Sequence, residues 1–234
     1  TGTNGKTTVA SLVNQALNKA GFKSMVQCTL TSTLTTPESL TIHKAMATHL
    51  TNGGTHFVME VSSHAIDQDR IAGIQFHVKL LTNITQDHLD YHKTLAAYTA
   101  TKLNWLSKPE SNSTIAIYPE NFQNTSINFK NPLIGEFNKR NMQAAIAILH
   151  ALHLPDTLIN DTLASSHAPP GRFEALHAGQ PFTVIIDYAH TPDGLENVLV
   201  EAQKIALAQN GSLAVLFGCG GDRDRSKRPQ MAAI

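Results

Sequence analysis

The chain has 234 residues, 41% of them hydrophobic and 15% charged, with 18 Lys+Arg against 18 Asp+Glu. A formal charge of zero supplies no long-range field toward nucleic acid or anionic lipid, so any anion site must be local. The two cysteines, Cys28 and Cys219, suit neither a disulfide framework nor a cysteine metal site, and no apolar run reaches the ~20 residues of a membrane span. These features lead to an expectation of a cytoplasmic α/β protein of one large or two smaller domains.

Thr1-Gly2-Thr3-Asn4-Gly5-Lys6-Thr7-Thr8 opens the chain and reads as a phosphate-binding loop. Glycines let successive amides converge on phosphate oxygens, the following helix adds its positive end, and Lys6 and Thr7 suit phosphate and Mg²⁺. The usual first glycine and the supporting strand would precede Thr1, so a piece of a longer protein is expected. Thr7 to Ala20 reads as a helix stopped by Gly21, and 23–30 as a strand. Thr36-Pro37-Glu38 has an N-cap residue, Pro at N1 and an acidic first turn, and predicts a helix to Leu50. Short apolar segments at 56–61 and 78–82 suit a buried parallel sheet. Further on, 95–107 and 138–152 read as helices and 114–118 as a strand. Residues 165–171, Ser-Ser-His-Ala-Pro-Pro-Gly, read as a linker. Beyond it, 182–186 and 213–217 are predicted strands flanking a helix at 192–208.

Several polar groups fall where a doubly wound sheet gathers ligands, past the carboxyl ends of its strands. Glu60, with Ser62 and Ser63, follows one strand and suits Mg²⁺. Asp87, His88, Asp90, Tyr91 and His92 crowd six positions after the next. Lys102 alone reads as a surface lysine of an amphipathic helix. Asn138 and Asn141 suit either helix capping or a purine edge. Arg172 could clamp phosphate and Asp187 could hold a ribose or metal. Gly218 to Arg225 forms a second Gly-rich turn, a weak signal by itself.

Together these motifs (TGTNGKTT, EVSSH, TNITQDHLDYH, YTATK, GEFNKRN, GRFE, DYAHTPD and FGCGGDRDRSKRP) resemble the Mur ligase family, ATP-dependent amide ligases of peptidoglycan precursor synthesis. The resemblance covers nearly the whole chain. The EVSSH, DHLDYH and DYAHTPD forms are most like the type that adds the third residue, meso-diaminopimelate or L-lysine, to UDP-N-acetylmuramoyl-L-alanyl-D-glutamate.

The resemblance implies a P-loop-type central ATPase domain with a mostly parallel sheet over residues 1–168, its first strand missing. A truncated start of a Rossmann-like C-terminal domain would occupy 169–234. Gly2, Thr3, Asn4, Gly5, Lys6, Thr7 and Thr8 would bind ATP, with Asn138 and Asn141 on the adenine side. Arg172, Asp187 and His190 would reach ATP from the second domain. Thr7, Glu60, His88 and a carbamylated Lys102 would hold Mg²⁺, two ions in all, and Lys6, Glu60, His88 and Lys102 would carry the catalysis. Thr35, Thr36, Ser62, Gln68 and Arg70 would hold the UDP-muramyl dipeptide. Leu34 departs from the Asn that many relatives carry there. The expected reaction runs through an acyl phosphate, with the nucleotide-sugar dipeptide and an amino acid as partners, a monomer, and no nucleic acid or membrane. The 234 residues alone are expected to be inactive, lacking the UDP-binding domain. The rival readings are folylpolyglutamate synthase, a cyanophycin synthetase module, or an ATPase that does not ligate.

Overall fold

A computed structural model describes residues 1–176, 178–219 and 225–234. The protein is α/β with parallel strand pairs. β1 (Ser24–Gln27) pairs in parallel with β2 (His56–Met59), Ser24 opposite His56. β3 (Val78–Leu80) pairs in parallel with β4 (Ile115–Ile117), Val78 opposite Ile115. Thr1–Thr3 run beside the end of β3 as a further strand would: Thr1 N donates to Leu80 O (2.7 Å), Thr82 N to Thr1 O (2.9 Å) and Thr3 N to Asn83 O (2.9 Å).

α1 (Lys6–Lys19) begins inside the Gly-rich loop at 1–8 and ends where Gly21, at φ 89°, turns the chain. Gly21 N bonds Asn18 O and Phe22 N bonds Leu17 O, which closes the last turn as a left-handed glycine permits. Leu12, Val13, Ala16 and Leu17 recur on one face of α1, with helical spacing. They meet Met142, Ala145, Ile146 and Leu149 of α7 (Glu136–Ala151) and Ile159 and Leu163 of α8 (Asp156–Ala164). Each of the Leu, Val, Ile and Met side chains contributes roughly 1.5–3 kcal/mol when removed from water, which fixes the loop on a rigid base. A smaller core joins Ile42 of α2 (Ser39–Thr51) to Val61, Ile71 and Ile74.

Two helices keep the ends read from sequence, α5 (Leu95–Ser107) and α9 (Pro192–Ala208). α2 starts three residues after Thr36, with Glu38 as its N-cap. The Thr36 hydroxyl is engaged elsewhere: it donates to Glu60 O (2.8 Å) and accepts from Ser62 N (3.0 Å). α3 (Ser63–Asp67), α4 (Leu89–His92), α6 (Pro119–Phe122) and α8 have no counterpart among the predicted elements, while α10 (Lys227–Ala233) is the new helix expected at the end of the chain.

The strand expected at 213–217 does not form. β5 (Glu174–Leu176) pairs with β6 (Val184–Ile186) antiparallel, and 211–219 carry no regular structure. Leu216 and Phe217 stay exposed, and a strand forms only where a neighbour takes its backbone bonds. Of the Gly-rich turn at 218–225, residues 220–224 lie outside the described residues. The 165–171 segment is irregular, as read, but pinned to α1: Lys19 Nζ donates to Ser165 O (2.5 Å), and Gln15 exchanges two bonds with His167 (3.0 and 3.1 Å).

Candidate active site

The carboxyl ends of β1, β2 and β3 deliver Thr29, Glu60 and Thr82–Asn83 to one cleft of ≈ 910 Å³ beside the N-terminus of α1. No side chain caps α1 and no acid sits in its first turn, so its positive end is free to meet an anion. Gly2 (φ 143°) and Gly5 (φ 83°) are required: a Cβ on Gly2 would lie 1.8 Å from Thr82 Oγ1, and one on Gly5 2.3 Å from Asn141 Oδ1. Asn4 is locked to Asn83 by reciprocal 3.0 Å bonds, backbone to side chain. Thr3 Oγ1 contacts Tyr98 OH (2.9 Å) and accepts from Thr85 N (3.0 Å). Lys6 folds across the loop and donates to Gly2 O (3.0 Å) and Thr3 O (2.9 Å). Burial lowers its ammonium pKa, with Glu60 and Asp87 acting in opposition.

Glu60 is 1% exposed and accepts from Thr29 N (3.0 Å). His88 caps α4 in the left-handed region (φ 55°), and burial takes its pKa down to about 4 against the pull of Asp87. Its ring is therefore neutral at physiological pH and able to ligate. Lys102 is also 1% exposed, on the inner stripe Tyr98–Lys102–Leu106 of α5. Its Nζ donates to Gly2 O (3.1 Å) and Thr1 Oγ1 (3.2 Å) and lies 4.8 Å above the Tyr98 ring. Burial, then the Lys6 charge, holds the amine well below its ordinary pKa.

Arg172, Asp187 and His190 arrive from the C-terminal part. Arg172 Nη2 donates to Thr7 Oγ1 (3.0 Å), and its guanidinium stacks 4.5 Å from the Tyr188 ring. Burial raises the Asp187 carboxyl, opposed by N–H bonds from Phe173 and Ala189 (2.7 Å each). His190 Nδ1 lies 3.0 Å from Tyr188 O, and burial lowers the pKa of its ring.

Of the site residues that the resemblance implies, Gly2, Gln68 and Lys102 do not line the cleft, whereas the others do. Lys102 sits beneath the phosphate loop, and Gln68 donates to Tyr91 OH (3.2 Å). Thr35 accepts from Thr29 Oγ1 (3.1 Å), Ser62 caps α3 through Ala65 N (3.2 Å), and Arg70 donates to Thr36 O (3.0 Å). Asn141 Nδ2 donates to Asn138 Oδ1 (3.1 Å), and Asn138 Nδ2 to Ile134 O (2.8 Å). The polar run after β3 divides: Asp87 and His88 face the cleft, while Tyr91 donates to Asp67 (2.6 Å) and His92 contacts Ser63 Oγ (2.9 Å).

Sequence reasoning left four contributors without a role. Asp87 was visible in the polar run, and Tyr98 stands four residues before Lys102, on the same helix face. Asp193, which accepts from Asn4 Nδ2 (2.7 Å), and Lys227, which donates to Asp87 (2.8 Å), stand in the DYAHTPD and FGCGGDRDRSKRP motifs, but nothing in those motifs names their distant partners. Among the described residues no three His, Cys, Asp or Glu side chains are set to hold a metal by themselves.

The family description "Mur ligase middle domain" matches residues 1–123, and "Mur ligase, glutamate ligase domain" matches 171–234. The chain belongs to the Mur ligase family. It is 38% identical over 288 aligned residues to the UDP-N-acetylmuramoyl-L-alanyl-D-glutamate–2,6-diaminopimelate ligase of Thermosynechococcus vestitus, covering 100% of this chain and 57% of that protein. The corresponding ligase of Syntrophomonas wolfei is 36% identical, with 100% and 58% covered. A solved structure of a ligase of that name superposes with a TM-score of 0.67 at 26% identity, over 99% of this chain and 58% of the other. A folylpolyglutamate synthase of L. casei shares the fold, with a TM-score of 0.64 at 17% identity and 88% and 70% covered. The chain thus spans a little over half the length of the curated ligases it resembles.

Proposed function

We propose that the full chain is an ATP-dependent amide ligase of peptidoglycan precursor synthesis. It adds the third amino acid, meso-diaminopimelate or L-lysine, to UDP-N-acetylmuramoyl-L-alanyl-D-glutamate. The observation that carries this reading is one cleft lined by a phosphate loop with Lys6, by Glu60 and His88 at strand ends, and by Arg172 from the C-terminal part. The names of the relatives support the substrate pair. In this reading residues 1–168 form the P-loop-type ATPase domain and 169–234 begin the C-terminal domain, and the enzyme works in the cytoplasm as a monomer.

The γ-phosphoryl group of ATP passes to the D-glutamyl carboxylate, giving an acyl phosphate and ADP. The incoming amine attacks that carbonyl carbon, loses a proton, and expels inorganic phosphate as the amide forms. Lys6 swings from Gly2 O and Thr3 O to the phosphates, and the α1 amides receive the oxygens that Gly2 and Gly5 let approach. Arg172 supplies a fixed fork of donors to the same phosphates. Asn138 and Asn141 border the adenine side, and Thr35, Thr36, Ser62 and Arg70 border the dipeptide, with Gln68 holding Arg70 from outside the cleft. Closing the two parts excludes water that would hydrolyse the acyl phosphate.

Thr7, Glu60 and His88 fit Mg²⁺ through a hydroxyl, a buried carboxylate and a neutral imidazole. So small a protein donor set suits an ion that completes its shell with phosphates and water. When bound, the ion would offset charge on the transferring group. Lys102, buried with a depressed pKa, is available as a neutral amine to add CO₂ and release a proton, forming a carbamate that would serve a second ion. The test is a ligation assay of the full chain with the dipeptide nucleotide and ATP, offering diaminopimelate and lysine separately. Amide product requires all three substrates. Phosphate release independent of both co-substrates would instead identify a plain ATPase.

A further inference from the structure

Asp87 is 3% exposed, and both its oxygens are shared across the two parts of the protein. Oδ1 accepts the His88 backbone N–H (2.9 Å) and Lys227 Nζ (2.8 Å). Oδ2 faces His88 Nε2 at 3.3 Å and His190 Nε2 at 3.8 Å. Lys227 opens α10, is 7% exposed, and reaches Asp87 over 140 residues of sequence. A buried ammonium is costly unless a carboxylate meets it, so the position of α10 and the loop after β3 depend on each other.

We propose that Lys227 is a positioning residue for the ligation: its ammonium, docked on Asp87, fixes the turn that carries His88 when the C-terminal part closes. The inference rests on the ligase reading and goes beyond it, because Lys227 does not itself line the cleft and reaches it only through Asp87.

Two features argue for it. His88 holds a left-handed backbone conformation (φ 55°), uncommon without glycine, and must be fixed by its surroundings. The oxygen that receives its N–H is the one that receives Lys227. The other ties between the two parts fall on different residues. Arg172 meets Thr7 of the Gly-rich loop, and Asp193 joins Asn4 of that loop to Thr85 of the loop after β3. Lys227, with His190 farther off, meets the Asp87 carboxylate itself.

The test uses the full chain with Lys227→Met, which keeps the stem and removes the charge, and Lys227→Arg, which restores it. Lys227→Met should lower kcat at least about tenfold while KM for ATP stays within about threefold, since the phosphate loop keeps its own ties. Lys227→Arg should recover most of the loss. Asp87→Asn should cost less in the Lys227→Met background than in the wild type, as expected of residues acting as a pair. Cleavage of the 165–171 segment by protease, with a non-hydrolysable ATP analogue bound, should be faster in Lys227→Met than in the wild type. Wild-type kcat in Lys227→Met, or fully additive losses with Asp87→Asn, would overturn the proposal. If the wild type ligates neither amino acid, the ligase reading falls, and the cleavage rate alone judges the contact: unchanged cleavage in Lys227→Met rejects it.

Discussion

Gly5→Ala tests how the phosphate loop is held. Gly5 has φ 83° and ψ −10°, and a Cβ there would lie 2.3 Å from Asn141 Oδ1. The left-handed backbone costs an alanine about 1–2 kcal/mol, offset in part by roughly 0.4–1 kcal/mol from a less free unfolded chain. The clash adds a second cost, because Asn141 cannot swing aside freely. Its Nδ2 bonds Asn138 Oδ1 at 3.1 Å, and both side chains are buried. Breaking that bond leaves buried polar groups unpaired, for about 1–3 kcal/mol. The sum is about 2–4 kcal/mol, or roughly 4–16 °C in Tm for a chain of this length. Thermal and urea unfolding of Gly5→Ala, Asn141→Ala and the double variant would separate the two costs. With Asn141 truncated the clash is gone, and Gly5→Ala should cost only about 1 kcal/mol, a coupling of about 1–3 kcal/mol. An equal cost in both backgrounds would refute the argument that Asn141 enforces the glycine.

Lys102→Ala in the full chain should abolish ligation and regain part of it with added short-chain carboxylic acids; an alanine variant of normal activity removes Lys102 from the site. Depression of the His88 pKa from 6.5 to about 4 makes the unfolded state bind the extra proton first. Stability is therefore retained above about pH 6.5 and falls as pH drops toward 4, by at most about 3 kcal/mol. His88→Gln should flatten this slope in urea titrations from pH 7 to 4, and an unchanged slope would assign it to other groups. Lys79 is buried and donates to Trp105 O (2.9 Å) and Lys108 O (2.6 Å) at the end of α5, with Glu110 as its ion-pair partner. Lys79→Met alone should lose about 3 kcal/mol, and Lys79→Met with Glu110→Gln less, because no uncompensated carboxylate is left inside. Arg172→Lys should weaken the nucleotide complex, measured by titration calorimetry, since an ammonium lacks the fork and the flat face on Tyr188.

The polypeptide carried its local chemistry openly. The start of α1 was legible because the Gly-Lys-Thr run puts a turn residue directly before good helix positions. The ends of α5 and α9 were legible because Thr94 and Thr191 cap them through their own side chains. Local signals misled where a distant group competed for the same atoms. Thr36-Pro37-Glu38 has the chemistry of a helix start, yet the Thr36 hydroxyl is better satisfied by the backbone of Glu60 and Ser62. The apolar segment 213–217 has strand composition, but composition cannot supply the neighbour whose carbonyls and amides a strand needs.

Lys102 shows the division most plainly. By type it belongs on a surface, although Tyr98 and Leu106, four residues to either side, already marked its stripe as the inner one. What the residue order could not state is that this stripe lies under Gly2, where the lysine loses its water and gives its proton up easily. The sequence by itself determined the family and the α/β class, because motif spacing and helix periodicity are local properties. Only the tertiary structure decided that Asp87 meets Lys227, Thr7 meets Arg172 and Asn4 meets Asp193, across 140 to 189 residues of chain. Burial and charge pairing depend on what folds against a residue, and that is fixed by the packing of the whole molecule.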